Sequence, residues 1–267
     1  MPEASEVKII TEQLNAHLKD KTLKNIEILS GRYTKKEPEN FSKFLADTPI
    51  KITEVKCKGK FIYFLTDSPW SIWNTLAMTG GWSKSFNEYS RAEFKLEQES
   101  IYFNDTRNFG TLHFHNDEKL LKKKLNSLGP DMLAEDIGIV RFKSLIKKHG
   151  KKSLPEFLMN QNIISGVGNY LKAEALYDAK LSPHRRCGNL TSEEIETLYN
   201  SIRTIITASY KAGGSTIRNY IDFTGSLGTY SQHFKVYRKD QDPNGNPVIT
   251  EETLDGRTTH WVPLIQK

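Results

Sequence analysis

Cysteine is nearly absent from this sequence. Only Cys57 and Cys187 occur among its 267 residues, and they lie far apart along the chain. Two distant thiols exclude a disulfide framework and a cysteine-rich zinc site. The sequence also lacks an apolar secretory segment near its start and an apolar run long enough to cross a bilayer. We therefore expect an intracellular protein of the cytoplasm or nucleus, with no membrane partner.

Internal repeats and low-complexity tracts are missing as well, and acidic charge is in the minority. The chain carries 38 lysines and arginines against 32 aspartates and glutamates, which gives a net charge of +6 at pH 7. This basic balance favours a polyanionic partner, because the summed positive field attracts phosphate-rich molecules. The hydrophobic content of 37% is typical of a globular protein with one large domain or two ordinary ones.

Short β-rich segments separated by Gly, Pro, Asn or Asp dominate the first half of the chain. They follow an N-terminal helix, whose apolar positions fall on one face at Val7, Ile10, Leu14 and Leu18. The pattern predicts strands in residues 22–29, 61–66, 91–96, 101–104 and 111–115. Repeated short strands with such turns are typical of an antiparallel sandwich. We therefore expect an α+β protein whose first domain, residues 1–129, is a helix plus a β-sandwich.

Helical spacing replaces the strand pattern after Gly129-Pro130-Asp131, which is a strong chain break. The second domain is accordingly predicted over residues 130–267. Its helices are expected at residues 139–149, 154–160, 170–179 and 193–210. A hairpin is predicted to end the domain within about residues 234–267, from strands at 234–238 and 258–262 with a turn at Asp242-Pro243-Asn244-Gly245.

The start of the chain carries the first chemical signal. A small residue after Met1 allows the initiator methionine to be removed, which would leave Pro2 as a free secondary amine. The positive end of the following helix disfavours the ammonium form, and a neutral amine is a nucleophile. Glu3 and Glu6 supply carboxylates for proton transfer beside it. From these residues alone, the alternative is a proline that starts a helix, with acids that complement the helix dipole.

A second signal is the glycine-containing segment Gly166-Val167-Gly168-Asn169. It does not fit the dinucleotide-binding fingerprint, because Leu171 stands at the third glycine and the preceding segment is helical. A tight turn between two helices would instead present backbone N–H groups and the Asn169 amide to a phosphate. A helix–helix turn without a ligand is an equal alternative for this segment alone.

Eight motifs occur in an order that resembles one family. They are Pro2-Glu3 with Glu6, Lys58-Gly59-Lys60, Leu76-Ala77-Met78-Thr79-Gly80, Arg107-Asn108-Phe109-Gly110, Leu128-Gly129-Pro130-Asp131, Ser165-Gly166-Val167-Gly168-Asn169-Tyr170, Gly213-Gly214-Ser215-Thr216-Ile217-Arg218 and Gly256-Arg257-Thr258-Thr259. Over essentially its whole length, the chain resembles the formamidopyrimidine-DNA glycosylase and endonuclease VIII family of base excision repair. The resemblance implies a helix-two-turn-helix second domain, damaged double-stranded DNA as partner, a monomer, and no cofactor.

The resemblance also implies a role for each matched residue. Pro2 would attack C1′ of the damaged nucleotide, expel the base and form a Schiff base, after which β- and δ-elimination would cut the strand. Glu3 would act as general acid at the sugar ring oxygen, and Glu6 would position the site. The remaining matched residues would hold the phosphates around the lesion (Lys60, Asn169 and Arg257) or fill the gap left by the flipped nucleotide (Met78, Arg107 and Phe109).

Considered one at a time, these remaining residues could also have purely structural roles. Met78 could be plain core, Phe109 a buried strand residue, and Lys60 and Arg107 solvated charges.

The chain departs from the family at its C-terminal end. Many members carry a four-cysteine zinc finger there, whereas Val262 and Ile265 occupy the positions of the last cysteine pair. Without thiolates no zinc site of that type can form, so we expect no metal. The stretch resembles the zincless finger of vertebrate Nei-like and giant-virus relatives, with His260 as a strand residue.

Other features bear on the activity and the substrate. Ala4-Ser5 and Thr75 differ from the usual family residues, which could alter how Pro2 is aimed and weaken one phosphate contact. The loop through Ser226 resembles the branch that acts on oxidised purines, and residues 28–33 resemble the Nei-like branch. We expect formamidopyrimidines and related oxidised bases as substrates. The alternatives are a non-catalytic protein that binds DNA lesions and a metal-dependent nuclease, for which the sequence offers no carboxylate-rich two-metal motif.

Overall fold

The computed structural model describes residues 2–216 and 220–267. The chain divides into two compact units. The first extends to Ser127 and also includes Ala212–Thr229, and the second comprises Leu128–Lys211 and Tyr230–Lys267. Both units combine helices with antiparallel strands, so the expected α+β class is confirmed.

The segment Ala212–Thr229 was predicted as part of the second domain, but it groups with the first unit. The reason lies in its hydrogen bonds to the N-terminal helix. The Ser215 backbone N–H donates to Glu6, and the Gln13 side chain donates to Asp222 and accepts from the backbone N–H of Phe223.

Nine short strands build the described part of the first unit as two antiparallel sheets. They are β1 (Thr22–Leu23), β2 (Asn25–Ile28), β3 (Ile50–Lys58), β4 (Phe61–Thr66), β5 (Ser71–Thr75), β6 (Gly80–Ser83), β7 (Ser90–Lys95), β8 (Ser100–Asp105) and β9 (Thr111–His115). The larger sheet has the order β1-β3-β4-β5-β9 and the smaller one β2-β7-β8-β6. All five predicted segments contain strands, with residues 22–29 divided between β1 and β2 in different sheets.

The core of the first unit lies between the sheets and the N-terminal helix α1 (Ala4–Leu18). The apolar face predicted for α1 is fully buried. In β8 the side chains alternate between buried and half-buried, with Ile101 and Phe103 in the core. A 3₁₀ turn (Gly31–Thr34), α2 (Phe41–Ala46) and α3 (Glu118–Ser127) complete this unit in the residues described.

Four α-helices lie in the described part of the second unit. They are α4 (Gly138–Lys148), α5 (Leu154–Met159), α6 (Asn169–Asp178) and α7 (Ser192–Lys211). Each corresponds to a predicted helix. The start of α7 carries the reciprocal bonds of a capping box, in which the Thr191 N–H donates to Glu194 at 2.7 Å and the Glu194 N–H donates to Thr191 at 3.2 Å. Throughout the described ranges, every helix is too short or too polar to cross a lipid bilayer.

The C-terminal hairpin differs from the prediction in its first strand. Its strands are β10 (Ile249–Thr253) and β11 (Arg257–Trp261), so residues 234–238 are not its partner strand. Their backbone N–H groups have another acceptor: the buried Glu174 carboxylate accepts from Lys235, Val236 and Tyr237. The predicted turn at 242–245 exists, but it precedes the hairpin.

Candidate active site and nucleic-acid interface

Three predicted catalytic residues meet at the start of α1. Pro2 is buried, and Glu3 and Glu6 are each only 1% exposed. The Glu3 backbone N–H donates to the Glu6 carboxylate at 2.8 Å, as one half of a capping box. The positive end of the helix dipole therefore lies next to Pro2, where it favours the neutral, nucleophilic form of an amine.

Glu6 is also held from the other end of the unit. Its carboxylate accepts the Ser215 backbone N–H at 2.6 Å. Gly214, directly before it, has φ +86°, and a Cβ there would lie 3.0 Å from Glu6 Cγ. Glycine is required because it allows both the left-handed backbone and the close approach. The motif that begins at Gly213 thus fixes Glu6, although its Ile217 and Arg218 lie outside the described residues.

A buried tyrosine is a feature of this region that the sequence analysis missed. Tyr220 is 8% exposed, and its hydroxyl has no hydrogen-bond partner in the part of the chain that is described. Burial, followed by the nearby charges of Glu6 and Asp222, raises the pKa of Tyr220 above its ordinary range. The phenol therefore stays protonated near neutral pH. No sequence pattern distinguished Tyr220 from a core aromatic residue.

Replacing Gly214 by alanine is expected to lower both stability and activity. The left-handed backbone alone should lower the free energy of unfolding by about 1–2 kcal/mol. The added Cβ should also displace Glu6. Gly225→Ala is the matched control, because Gly225 has φ +92° but open space around its missing Cβ. Equal losses of stability and cleavage rate in the two variants would contradict the positioning of Glu6 by this glycine.

Met78, Arg107 and Phe109 form one cluster on the first unit. An Arg107 Nη1 donates to Met78 Sδ at 3.2 Å, and the guanidinium carbon lies 4.7 Å from the centre of the Phe109 ring. Phe109 is 50% exposed and Met78 is half-buried, so neither is an ordinary core residue. The cluster therefore presents an apolar wedge, a cation and an aromatic face together.

Buried Asp105 organises the two loops that carry this cluster, and the sequence analysis missed it. Its carboxylate accepts from the Thr79 hydroxyl next to Met78 and from the backbone N–H groups of Arg107 and Gly110. An aspartate that accepts from backbone N–H groups just after it is typical of a turn, so the Asp105-Thr106-Arg107 pattern could have indicated this role.

Lys60 lies in the turn between β3 and β4, where it is half-buried. The preceding Gly59 has φ +57° and makes this turn possible. The position agrees with the predicted motif before a strand. The contact of Lys60 with a phosphate beside the lesion stays a prediction.

In the second unit, Asn169 is joined to the hairpin. Asn169 is the first residue of α6, and its Nδ2 donates to the backbone carbonyl of Thr258 at 2.8 Å. The neighbouring Arg257 begins β11 and is exposed. Gln161 orders the preceding loop by accepting from the Gly166 N–H and donating to the Val167 carbonyl. A helix N-terminus, an amide and an arginine are thereby presented together, which suits the binding of phosphates.

An ion pair holds the hairpin against α6, and a hydrogen bond holds the turn that precedes the hairpin. Lys172 is fully buried in α6, and its ammonium lies 2.7 Å from the Asp255 carboxylate in the hairpin turn. The Tyr177 hydroxyl donates to Asp242 at 3.0 Å. His260 lies in β11, as expected, and packs its ring against Tyr237 with centroids 5.0 Å apart. Packing and polar contacts thus fix the strand that carries Arg257.

Replacing Asp255 by asparagine is expected to destabilise the second unit strongly. The change removes the carboxylate beside a buried ammonium, which costs about 3–5 kcal/mol in the free energy of unfolding. Glu196→Gln is the control, because its ion pair with Lys143 is exposed and should contribute at most about 1 kcal/mol. Denaturant unfolding measures both. A loss for Asp255→Asn no larger than the control would contradict this account of the hairpin.

Comparisons with known protein families match the chain in three consecutive parts. Residues 1–112 match the formamidopyrimidine-DNA glycosylase N-terminal domain. Residues 128–220 match the H2TH domain of the same enzymes, and residues 228–267 match their C-terminal domain. The middle match confirms the helix-two-turn-helix domain expected from the sequence.

Individual relatives are similar over nearly their full length. The chain is 31% identical to the formamidopyrimidine-DNA glycosylase of Oceanobacillus iheyensis, with 100% of the chain and 98% of the relative aligned. The crystal structure of the MutM (Fpg) protein from Thermus thermophilus superposes with a TM-score of 0.88 at 29% identity, covering 99% and 98% of the two chains. A complex of Lactococcus lactis Fpg with DNA containing an abasic site gives 0.87 at 25% identity and 99% coverage of each.

Proposed function

The chain belongs to the formamidopyrimidine-DNA glycosylase family, and we propose that Pro2 is the nucleophile with which it excises oxidised bases from double-stranded DNA. The chain is a DNA glycosylase of base excision repair. The observation that carries the proposal for Pro2 is its burial at the N-terminus of α1, beside Glu3 and Glu6. Loss of Met1 is part of the proposal, because only then is the Pro2 nitrogen a free amine.

The reaction uses one amine for two kinds of bond cleavage. The neutral Pro2 nitrogen attacks C1′ and the bond between C1′ and the base breaks, with the base taking up the proton that the nitrogen loses. Glu3 then gives a proton to the sugar ring oxygen, and the C1′–O4′ bond breaks as the nitrogen lone pair forms a second bond to C1′. The product is a cationic iminium. It acidifies the C2′ proton, whose loss breaks the C3′–O bond by β-elimination, and a second elimination breaks the C5′–O bond. Glu6 positions this site through its two backbone hydrogen bonds.

The Met78, Arg107 and Phe109 cluster serves the flipped state of the DNA. Turning the damaged nucleotide out of the duplex costs roughly a few kcal/mol in lost stacking and pairing. An apolar side chain and an aromatic ring recover part of that cost by filling the gap, and an arginine can bond the orphaned base. The exposure of Phe109 and its contact with Arg107 support this role.

Each unit carries residues proposed to bind phosphates of the DNA backbone. Lys60 in the first unit and Asn169 and Arg257 in the second are the proposed contacts. The bond from Asn169 to Thr258, next to Arg257, supports joint binding by these two residues.

Replacing Arg257 by alanine is expected to weaken binding to every duplex by a similar factor. One lost phosphate contact should make the dependence of log affinity on log salt shallower by about one unit. Arg141→Ala, an exposed arginine on α4, is the matched control. Fluorescence anisotropy at several salt concentrations measures the slope. An unchanged slope for the hairpin variant would remove Arg257 from the interface.

Several finer properties follow from the same proposal. The substrates are formamidopyrimidines and related oxidised bases, and the protein acts as an intracellular monomer. The C-terminal hairpin is a metal-free finger, which agrees with the absence of cysteine between residues 188 and 267.

Borohydride trapping on duplex with an abasic site tests the proposed chemistry. A covalent protein–DNA adduct that forms in the presence of EDTA is the expected result, because an iminium is reduced in place and needs no metal. Tight binding without any adduct would instead favour a non-catalytic lesion-binding protein. Strand cleavage that stops with EDTA would favour a metal-dependent nuclease.

A further inference from the structure

A cluster of metal-ligating side chains lies at the end of β9 in the first unit. Glu39, His113 and His115 each offer one ligand atom, and the three atoms lie within 4.8 Å of one another. The two histidines alternate with core residues Leu112 and Phe114 along β9, so both project from the outer face of the sheet. Glu39 comes from the loop before α2, more than seventy residues earlier in the chain.

The backbone holds the three ligands in register. The Phe114 N–H donates to the Glu39 carbonyl at 3.3 Å, and the Asn40 side chain donates to the Phe114 carbonyl at 2.9 Å. Glu39 is therefore tied to the residue between the two histidines. The ring of Trp73 lies against His115 with centroids 4.0 Å apart, which restricts the rotation of that imidazole.

Burial and nearby charges act on the pKa values of the two histidines. Burial lowers the pKa of both rings, and for His113 the neighbouring His115 adds to this effect. Glu39 acts in the opposite direction on both, and Arg32 and Lys124 lower the pKa of His113 further. Metal ligation requires the neutral ring, whereas a charged His113–Glu39 ion pair would require the protonated one.

We propose that Glu39, His113 and His115 form a binding site for a divalent transition metal, with zinc as the best fit. Two imidazoles and one carboxylate are a ligand set that zinc accepts, with a fourth position left for water. Ligands about 2.05 Å from a tetrahedral zinc lie roughly 3.3 Å apart, so ligand atoms that are up to 4.8 Å apart must close in by up to about 1.5 Å. The exposed Glu39 side chain has the freedom to do so.

The site is independent of the Schiff-base chemistry. Its ligands share no residue with the start of α1 or with the cluster around Arg107. The positive charges of Arg32 and Lys124 oppose a bound cation, so affinity should be weaker than in a buried four-ligand zinc site. Bound metal should pin the Glu39 loop to β9 and raise the melting temperature of the first unit.

Titration of the full chain with Zn²⁺ alone, by calorimetry at neutral pH, tests the site. One zinc per chain is expected, with affinity that falls as pH drops and the imidazoles protonate. His113→Asn, His115→Gln and Glu39→Gln should each weaken binding by roughly tenfold or more. His184→Gln, which changes an exposed histidine of the second unit, should bind as the parent does.

The absorption spectrum of Co²⁺ bound to the parent chain identifies the ligand types. This measurement tests the site even if one of the variants fails to fold. Visible bands of a nitrogen and oxygen site, without the charge-transfer band of a thiolate, are expected for the parent chain, which excludes Cys57 and Cys187 as ligands. Zinc affinity unchanged in all three ligand variants, or no zinc bound by the parent chain, would overturn the proposal. Neither result touches the borohydride adduct, which forms without metal.

Discussion

Pro2→Gly is expected to lose the borohydride-trapped adduct on DNA with an abasic site. Glycine leaves only a primary amine, whose imine is neutral until it is protonated, whereas the proline iminium carries a permanent positive charge. Glycine also frees the backbone angle that proline fixes ahead of α1. Single-turnover cleavage of a lesion duplex should fall by roughly 10²–10⁴-fold, the scale on which a lost catalytic group acts.

The control for this variant is Pro69→Gly. Pro69 is an exposed proline in the loop between β4 and β5 of the same unit. Its replacement should leave trapping and cleavage at the level of the parent. A Pro2→Gly protein that folds and still forms the adduct at the parent rate would show that another amine is the nucleophile.

Glu3→Gln is expected to separate base removal from DNA binding. Glutamine keeps an oxygen that can accept the backbone bond at the start of α1, but it cannot donate the proton that opens the sugar ring. Release of an intact oxidised base should slow by about 10²–10⁴-fold, with binding to the lesion duplex nearly unchanged. Gel-shift binding and single-turnover base release measure the two effects.

Glu12→Gln is the matched control on the same helix. Glu12 is exposed and forms an ion pair with Lys8 at 3.2 Å. We therefore expect its charge to play no part in the reaction. It should bind and cleave as the parent does. Near-normal base release by Glu3→Gln would remove Glu3 from the general-acid role.

The sequence predicted most of the elements because their signals are local. The apolar face of α1, the alternation in β8 and the capping residues of α7 each depend on neighbours a few positions away. The prediction of the C-terminal hairpin was wrong for its first strand, because there a distant contact decides the structure. Residues 234–238 have a strand-like composition, but the distant Glu174 carboxylate takes their N–H groups. A contact across sixty residues leaves no periodic trace in one sequence.

The candidate site shows the same division. The order of the motifs predicted Pro2, Glu3 and Glu6 as site residues, and in the structure all three lie at the N-terminal end of α1. The order of the motifs could not show that Ser215 holds Glu6, because every residue except proline has a backbone N–H and the contact therefore requires no particular residue type. Tyr220 could likewise not be predicted as a site residue from the sequence, since its burial beside Glu6 depends on tertiary packing.

Mass spectrometry of the reduced protein–DNA adduct tests the central claim most directly. The chain is incubated with duplex containing an abasic site, reduced with borohydride and digested, and the modified peptide is sequenced. We expect the deoxyribose remnant on the nitrogen of Pro2, in a peptide that lacks Met1. A preparation that cleaves damaged DNA completely while Met1 is still attached, or a remnant on a lysine such as Lys60, would contradict the account.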